Sequence, residues 1–378
     1  MKKIVVITLN VSGKMNIFNY FTSNKDWHLI PILIISLIFI VGCSPKIKTP
    51  YKITTEFPIE QQLKGKPFAI IENNIGIIDV KKAGPYLICK EHKTEYHFTI
   101  YDSIHQKTWR WGRNGRGPHE YLAPSYWGLH EKINNGVRIQ LLEQALKKLQ
   151  TIDITCTSDS IAAHVVSTFS IPYNLNIDPR ILVRKNANTL YGISDFGDCR
   201  FFKCDSTFRN IEFLDHVLPF NKNASVHDIA QSCSGVKPDK EMIAVAYFNL
   251  PQLTIYSYKG NVVQTIFIDK IIQPKNINVN DAEEYFLDIN VDDYYIYALY
   301  DSFDSEQSGQ NSILIFDWHG NPIAKYRIPR ASRFAIDKLS KQIITVNADQ
   351  TNSMCSVYTL YSISSTELQL ASANRQYL

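Results

Sequence analysis

The stretch from Arg110 to Leu122 has the residue types that hold an anionic group. It reads Arg-Trp-Gly-Arg-Asn-Gly-Arg-Gly-Pro-His-Glu-Tyr-Leu. Three glycines and a proline in so short a span fix a non-repetitive backbone, whose N–H groups can converge on one ligand. Arg113 and Arg116 would add charged donors. The alternative, which we favour, is a structural crossover in which Glu120 pairs with an arginine and caps exposed backbone.

Acidic side chains elsewhere have the chemistry of divalent-cation ligands. The run Asp288-Ile-Asn-Val-Asp-Asp293 resembles part of a calcium loop, but it lacks the central glycine and the final glutamate of such a loop. A strand followed by a polar turn explains it better. Asp228, Glu284 and Asp288 become interesting only if their strands line a common axis, where they could hold an ion for hydrolysis of an ester or lactone. Their spacing alone does not select them.

The elements that must position these groups are short strands that recur along the chain. Six segments end in Asp or Ser after an apolar run, at intervals of 45 to 60 residues. A recurrence of roughly 40–50 residues in a strand-rich chain is typical of a β-propeller blade. We therefore predict an all-β fold, a six-bladed β-propeller with four-stranded antiparallel blades. The six segments are Phe98–Asp102, Leu149–Asp153, Phe201–Asp205, Leu253–Ser257, Leu314–Asp317 and Thr359–Ser362.

The propeller domain is predicted to span 67–378, and no second domain is needed. Closure would pair Phe68–Ile71 or Ile75–Val80 with the last blade, around Val357–Ile363, and so remove an open sheet edge. The polar insertion Asp301–Asn311 makes the fifth repeat interval the longest. Such insertions commonly lie on one rim, where binding sites occur.

The N-terminus predicts export and lipidation. The run Leu29–Gly42 has no charge and, at 14 residues, is short for a membrane-spanning helix but suitable for a signal sequence. It ends in Ile-Val-Gly-Cys43-Ser44, which resembles the lipobox of bacterial lipoproteins. We predict a signal peptide over 1–42, whose true start is Met15, and a lipid anchor on Cys43. Ser44 resembles the pattern for outer-membrane sorting, facing the periplasm or the cell surface.

Charge and composition exclude some partners. Residues 43–66 carry two prolines close to Cys43 and more lysine than glutamate, which predicts a solvated tether. The whole chain has a net charge of +4, and four of its lysines lie within residues 1–42. The mature chain is thus almost neutral, which argues against nucleic acid as a partner.

The cysteines other than Cys43 permit disulfides in an oxidising compartment, but their spacing does not require them. Cys199 and Cys204 are five residues apart, so on one straight strand they would face opposite sides about 17 Å apart. We expect most of the six to be buried free thiols in strands. They are Cys89, Cys156, Cys199, Cys204, Cys233 and Cys355.

The same glycine-rich loop resembles a motif of the six-bladed propeller lipoproteins of Bacteroidota, the TolB-like or BF3164-type group. Their loop reads Gly-x-x-Gly-x-Gly-Pro-x-Glu-aromatic, and His119 stands where glycine is more usual. The resemblance extends over the chain through the lipobox, the tether and the repeats. It implies an envelope-anchored propeller and brings no catalytic motif. The matching positions are Gly112, Gly115, Gly117, Pro118, Glu120 and Tyr121.

Two functions follow from these features. The leading one is a non-catalytic binding module whose rim loops recognise a protein, peptide or glycan, with no cofactor and no catalytic residue. The alternative is a metal-assisted hydrolase or lactonase with a divalent ion in the central channel.

Overall fold

The computed structural model describes most of the chain as two compact units, Met1–Lys48 and Thr49–Leu378. In the first unit, β1 (Lys2–Leu9) and β2 (Met15–Thr22) pair as an antiparallel hairpin. The predicted signal run 29–42 and Cys43 lie outside the described residues. No helix of the described part is long and apolar enough to cross a membrane. The described ranges are 2–9, 15–22, 50–67, 76–92, 94–117, 119–157, 160–173, 179–186, 188–194, 199–216, 231–272, 277, 283–301, 309–338, 340–348 and 356–362.

The second unit begins with three short strands, β3 (Tyr51–Thr54), β4 (Ile59–Gln62) and β5 (Lys66–Pro67), and continues with the strands of six sheets. Sheet 1 contains β6 (Ile77–Ala83), β7 (Tyr86–Glu91), β8 (Tyr96–Asp102), β9 (Lys107–Asn114) and β10 (Glu120–Tyr121). Sheet 2 contains β11 (Pro124–Ser125), β12 (His130–Ile133), β13 (Gly136–Glu143), β14 (Lys148–Cys156) and β15 (Ile161–Ser170). Sheet 3 contains β16 (Pro179–Arg184), β17 (Thr189–Ser194), β18 (Cys199–Asp205) and β19 (Ile211–His216).

The remaining three sheets each take one strand from the beginning of the unit. Sheet 4 joins β20 (Ser232–Lys237), β21 (Met242–Tyr247), β22 (Gln252–Ser257) and β23 (Val262–Ile268) to β3. Sheet 5 joins β24 (Phe286–Val291), β25 (Tyr295–Asp301), β26 (Gln310–Asp317) and β27 (Pro322–Pro329) to β4. Sheet 6 joins β28 (Arg333–Asp337), β29 (Gln342–Ala348) and β30 (Ser356–Ser362) to β5. A 3₁₀ turn, Pro238–Lys240, separates β20 from β21.

The Asp that closes several repeats is explained by the turn that follows it. Asp205 Oδ1 accepts from the backbone N–H groups of Thr207 and Arg209, at 2.9 and 3.2 Å. Asp317 Oδ1 makes the same kind of contact to the backbone of His319 and Asn321, at 2.9 and 2.8 Å. A short carboxylate placed at the end of a strand therefore satisfies backbone donors that the tight turn leaves unpaired.

The predicted tether is wrong for residues 51–54, 59–62 and 66, because these residues form strands of the sheets. β3 pairs in parallel with β23, so that Tyr51 lies opposite Thr265. β4 pairs in parallel with β27, and β5 pairs antiparallel with β30. Each strand covers the outer edge of its sheet, which would otherwise expose a row of unpaired N–H and C=O groups.

Buried apolar side chains fill the spaces between neighbouring sheets. Separate clusters lie between sheets 1 and 2, 2 and 3, 3 and 4, 4 and 5, and 5 and 6. A further cluster joins the last sheet to the first, with Ala335 and Val346 packed against Val80 and Leu87. The sheets therefore close into a ring, which is the architecture of a β-propeller.

The prediction of an all-β propeller is thus confirmed, with two differences of detail. Sheets 1, 4 and 5 have five strands in the main order rather than four, because a parallel strand is added at the outer edge. Closure uses β30, as predicted, but its partner is β5; β6 is instead the innermost strand of sheet 1. Residues 68–75 lie outside the described chain.

The connections divide between two faces of the ring. In an antiparallel sheet, the first and third hairpins open on one face, and the second hairpin and the link to the next sheet open on the other. The first face has short turns, of which 206–210 is the longest. The second face has 217–231, 269–285 and 302–309. We call these the short-turn face and the long-loop face.

Candidate functional site

The glycine-rich loop on the long-loop face is closed by its own carboxylate. Glu120 Oε2 accepts a hydrogen bond from Gly117 N at 2.8 Å. The backbone folds back over this contact, because Gly115 N donates to Tyr121 O at 2.9 Å and Glu120 N donates to Gly117 O at 3.1 Å. The carboxylate of Glu120 therefore occupies the position that an external anion would take at the N–H of Gly117, while the N–H groups of Gly115 and Glu120 are already used by backbone carbonyls.

Two of the glycines are required by close approach. A Cβ on Gly115 would lie 2.0 Å from Glu120 Oε2, which no side chain can do without moving the carboxylate. Gly112 has φ +74°, and its Cβ would lie 3.2 Å from the ring of Phe98. Positive φ costs glycine little and other residues more. The glycine spacing thus serves the geometry of the loop.

The aromatic end of the motif is anchored in the core. Tyr121 is almost fully buried and its ring lies 5.4 Å from Trp111. Burial raises the pKa of Tyr121 to about 12, so the side chain stays neutral. His97 Nε2 lies 2.9 Å from Tyr121 O and adds a polar contact to its backbone.

The chain leaving the loop is held by Glu143, a residue that the sequence did not single out. Its fully buried carboxylate accepts from Leu122 N and Ala123 N, each at 2.9 Å. Glu143 also accepts from Ala145 N at 3.0 Å. A glutamate at the end of an apolar strand was the available signal, but Leu122 and Ala123, its two partners in the loop, lie 21 and 20 residues away.

The arginines of the loop remain at the surface. Arg113 makes a solvent-exposed pair with Glu95 at 3.4 Å, and exposed pairs of this kind contribute little to stability. Arg110, Arg116 and His119 are exposed as well. Pro118 lies outside the described residues. The backbone of the loop therefore serves the fold, and Arg113 and Arg116 are the groups that remain available to a ligand.

A buried ion pair lies at the centre of the ring. Lys81 on β6 places Nζ 2.7 Å from Asp288 Oδ1 and 2.9 Å from Oδ2, with Asp288 on β24. Phe334 N on β28 donates to the same carboxylate at 3.1 Å. Sheet 6 lies between sheets 5 and 1, so the pair reaches across its innermost strand. Three inner strands are thereby joined at one carboxylate.

The charges around this pair compensate one another. Burial alone would lower the pKa of Lys81, but the carboxylates of Asp288 and Asp79 reverse the shift and raise it, so Lys81 is a cation. Burial raises the pKa of Asp79, although Lys81 opposes the shift. The cavity lined by Asp79, Lys81 and Lys90 is about 10 Å³, which is room for about one water molecule.

The acids predicted for a channel metal site do not converge among the described residues. Asp288 is on an inner strand, as expected, but it is neutralised by Lys81. Glu284 precedes β24 and is exposed, so its placement on an inner strand was wrong. Asp228 lies outside the described residues. Asp292 Oδ1 caps a turn by accepting from Tyr294 N and Tyr295 N, both at 2.7 Å.

Lys81 itself was missed by the sequence reading. The signal was the pair Lys81-Lys82 in strand β6, whose other residues apart from Asp79 are apolar, so that a solvated lysine is not expected there. Both lysines have buried partners, since Lys82 Nζ lies 2.7 Å from Asp337 Oδ2 in sheet 6. A partner more than two hundred residues away cannot be read from local spacing.

A polar depression of about 450 Å³ lies on the short-turn face of sheet 3. Its charged groups are largely engaged with one another or with the turn. Lys203 Nζ lies 3.2 Å from Glu212 Oε2, and Asp205 Oδ2 accepts from Asn210 Nδ2 at 2.8 Å. The depression therefore offers little unpaired charge to a ligand.

Four cysteines of the described chain are free thiols, as expected for most of them. Burial raises the pKa of Cys204 and Cys233 to about 12, which keeps both protonated. Cys199 and Cys355 have no described side chains.

These features define an all-β propeller with a buried ion pair among its inner strands and a glycine-rich loop on its long-loop face. The family described as "TolB-like 6-blade propeller-like" matches residues 77–337, and the chain belongs to this family. No curated protein matches the chain.

Several solved structures are similar to this chain at low sequence identity. A member of the DUF4221 family from Bacteroides vulgatus is 11% identical, with a TM-score of 0.50 over 81% of this chain and 97% of that one. An exported protein from Bacteroides fragilis, named as putative in its description, is 11% identical, with a TM-score of 0.48 over 83% and 100%. Regucalcin, a calcium-binding protein from Agrobacterium tumefaciens, is 9% identical, with a TM-score of 0.46 over 81% and 95%.

Proposed function

We propose that this chain is a BF3164-type lipoprotein of the outer membrane that acts as a non-catalytic binding module. Lipid on Cys43 anchors it, facing the periplasm or the cell surface, and a six-bladed propeller recognises a protein, peptide or glycan. Nucleic acid is not a partner, and the interaction requires no cofactor. The lipobox-like sequence before Ser44 supports the anchor, and the near-neutral charge supports the choice of partner.

The observation that supports the binding role is the buried ion pair among the inner strands. Lys81 holds Asp288 at 2.7 Å and lies 3.8 Å from Asp79, so these two inner-strand carboxylates already face a cation, which disfavours metal-assisted hydrolysis there. The long-loop face carries groups able to meet a partner. They include exposed Arg113 and Arg116 of the glycine-rich loop and Tyr173, whose side chain is 73% exposed. Aromatic and arginine side chains are the residues most enriched in interfaces.

Two tyrosines of nearly equal exposure can test which face of the propeller binds the partner. Tyr173 follows β15 on the long-loop face, and Tyr294, 74% exposed, lies in the turn before β25 on the short-turn face. Crosslinking in the native cells would first identify a partner of the full chain. We expect Tyr173→Ala, and separately Arg113→Ala with Arg116→Ala, to reduce the crosslinked product at least about tenfold, the loss of one interface anchor.

Tyr294→Ala is the matched control and should leave crosslinking unchanged. Shortening the connection 302–308, which belongs to the predicted insertion Asp301–Asn311, should also reduce capture if that rim contributes. Loss on Tyr294→Ala with no effect of Tyr173→Ala would place the partner on the other face. Undiminished capture by every variant of the long-loop face would overturn the proposal.

A further inference from the structure

A histidine, a cysteine and an aspartate meet where sheets 1 and 2 adjoin on the short-turn face. His105 Nδ1 lies 2.7 Å from Asp102 Oδ2 and 3.7 Å from Cys156 Sγ. The three donor atoms all lie within 4.8 Å of one another. Asp102 and His105 belong to the turn after β8 in sheet 1, and Cys156 is the last residue of β14 in sheet 2. The cluster thus joins two sheets.

The equivalent turns of other sheets show that this cluster is not needed to cap the turn. In those turns the second carboxylate oxygen accepts from an asparagine amide of the same turn: Asn210 for Asp205 and Asn321 for Asp317, at 2.8 and 2.7 Å. Asp102 Oδ1 caps the backbone of Ile104 at 2.8 Å in the usual way. Its second oxygen instead faces His105 and Cys156. The asparagine of the sister turns is therefore replaced by two metal-ligating side chains.

The contact pattern does not fit a cysteine nucleophile activated by a histidine base. Such a pair needs the orienting carboxylate on one ring nitrogen and the thiol on the other. Here Asp102 and Cys156 both approach Nδ1 of His105. Donors that converge on one point suit a shared ion better than a proton relay.

The distances are close to those of a tetrahedral zinc site. Zn–N and Zn–S bonds of about 2.0 and 2.3 Å at a tetrahedral angle place the nitrogen and sulfur about 3.5 Å apart. The observed separation of His105 Nδ1 and Cys156 Sγ is 3.7 Å. The nitrogen and oxygen need to open from 2.7 Å to about 3.3 Å, the tetrahedral separation from the same bond lengths. The side chain of His105 is 40% exposed and can move by that amount, whereas Asp102 is fixed by its turn.

We propose that Asp102, His105 and Cys156 form a binding site for Zn²⁺ or a similar borderline-soft divalent ion. A sulfur, a nitrogen and a carboxylate oxygen favour zinc over calcium or magnesium, which prefer oxygen ligands alone. On binding, Cys156 releases its thiol proton to solvent, and the proton of neutral His105 resides on Nε2, so that Nδ1 donates its lone pair. Thiolate and carboxylate together balance the two positive charges of the ion.

The site has a different place and role from a channel metal. It lies on the short-turn face, away from Lys81 and Asp288, and it joins neighbouring sheets through side chains from each. Three protein ligands leave the fourth tetrahedral position open to water or to a ligand atom of a partner. Binding to the folded chain but not to the unfolded chain raises the melting temperature.

Cobalt provides a direct test because its absorption reports a bound thiolate. The full chain, without an affinity tag and in detergent, is titrated with Co²⁺ and then with Zn²⁺. We expect one ion per chain at this site, a thiolate-to-Co²⁺ charge-transfer band that Zn²⁺ abolishes, and a higher melting temperature with Zn²⁺. Cys156→Ser should remove the band, and His105→Gln should weaken binding at least about tenfold, as expected for loss of one ligand.

Cys233→Ser is the matched control, since Cys233 is also a half-buried free thiol but contacts Ala246 O instead of a ligand cluster. Its band should equal that of the wild type. His105 is exposed, so His105→Gln should preserve the fold and keeps the test valid if Cys156→Ser is unstable. Absence of the band in the wild type, or a band that both Cys156→Ser and His105→Gln leave intact, would overturn the proposal.

Discussion

The ring of Phe57 packs edge-on against the ring of Phe316, with centroids 5.5 Å apart. Phe57 lies between β3 and β4, in the segment expected to be a solvated tether, whereas Phe316 belongs to β26 of sheet 5. Lys52 Nζ reinforces the attachment by donating to Asn321 Oδ1 at 2.6 Å. The segment before the propeller is therefore fastened by apolar packing as well as by strand pairing.

Phe57→Ala should destabilise the protein by about 3 kcal/mol, because the substitution leaves a cavity beside Phe316. Urea denaturation followed by tryptophan fluorescence measures the change. Ile53→Ala in the same segment is the control, since Ile53 is half exposed and should cost less than about 1 kcal/mol. Equal effects of the two substitutions would show that Phe57 is not part of the core.

Lys81→Met should destabilise the protein by about 3–5 kcal/mol, because it leaves the buried carboxylate of Asp288 without its cation. Adding Asp288→Asn should recover part of the loss, since the unpaired charge is then removed. The exposed pair of Lys203 and Glu212 supplies the comparison, and Lys203→Met should cost less than about 1 kcal/mol. A double variant no more stable than Lys81→Met would contradict this account.

Gly115→Ala should cost about 1–3 kcal/mol, because its Cβ would overlap the carboxylate of Glu120. The displaced carboxylate would no longer accept from Gly117 N, so the amide of Gly117 should exchange faster with solvent. Hydrogen exchange combined with thermal melting tests both expectations. His119→Ala, in the same loop and exposed, should change neither by a measurable amount.

Stability should fall on acidification because of His130. His130 Nε2 accepts from Gly84 N and Nδ1 donates to Gly128 O, each at 3.1 Å, so the bound ring is neutral. Burial lowers the pKa of His130 below its ordinary value of 6.5. As the pH falls, His130 is therefore protonated in the unfolded chain before it is protonated in the folded chain. The stabilisation present above pH 6.5 is lost as the pH falls toward the lowered pKa of His130 in the folded chain.

The measurement is the melting temperature between pH 7.5 and pH 5, compared with that of His130→Gln. The wild type should lose more stability than the variant over this interval, although other histidines titrate in both proteins. The difference should be modest because part of the ring meets solvent. Parallel pH profiles would show that His130 is not responsible.

The local sequence pattern was sufficient to predict the repeated strands of the propeller. It was insufficient to predict β3, β4 and β5, which complete sheets 4, 5 and 6. The closing residues Asp205 and Asp317 are visible in sequence because each satisfies donors only a few residues away. β3 gives no such signal, since Tyr51 pairs with Thr265 and two of the four residues of the strand are exposed. An edge strand needs only half of its surface covered, so its apolar pattern is weak.

In the candidate site too, contacts between residues close in sequence could be predicted, whereas contacts between distant residues could not. The motif around Gly115 and Glu120 was recognisable because its hydrogen bonds are local. The contact of Glu120 with Gly117 N agrees with the expected capping of backbone, whereas the arginine pair expected for Glu120 is not seen among the described residues and Arg113 pairs with Glu95 instead. The pair of Lys81 and Asp288 and the meeting of His105 with Cys156 depend on how distant blades are arranged in the ring. Spacing along the chain carries no information about such contacts.

The attachment of β3, β4 and β5 to sheets 4, 5 and 6 has a consequence for synthesis. These strands leave the ribosome before the rest of the propeller, yet their partners β23, β27 and β30 are made much later. Until then their backbone groups stay unpaired, and sheet edges in that condition associate readily with other chains. Such long-range pairing also slows folding. The chain therefore has its most vulnerable interval before its last third arrives, when a chaperone that holds the N-terminal strands would have the greatest effect.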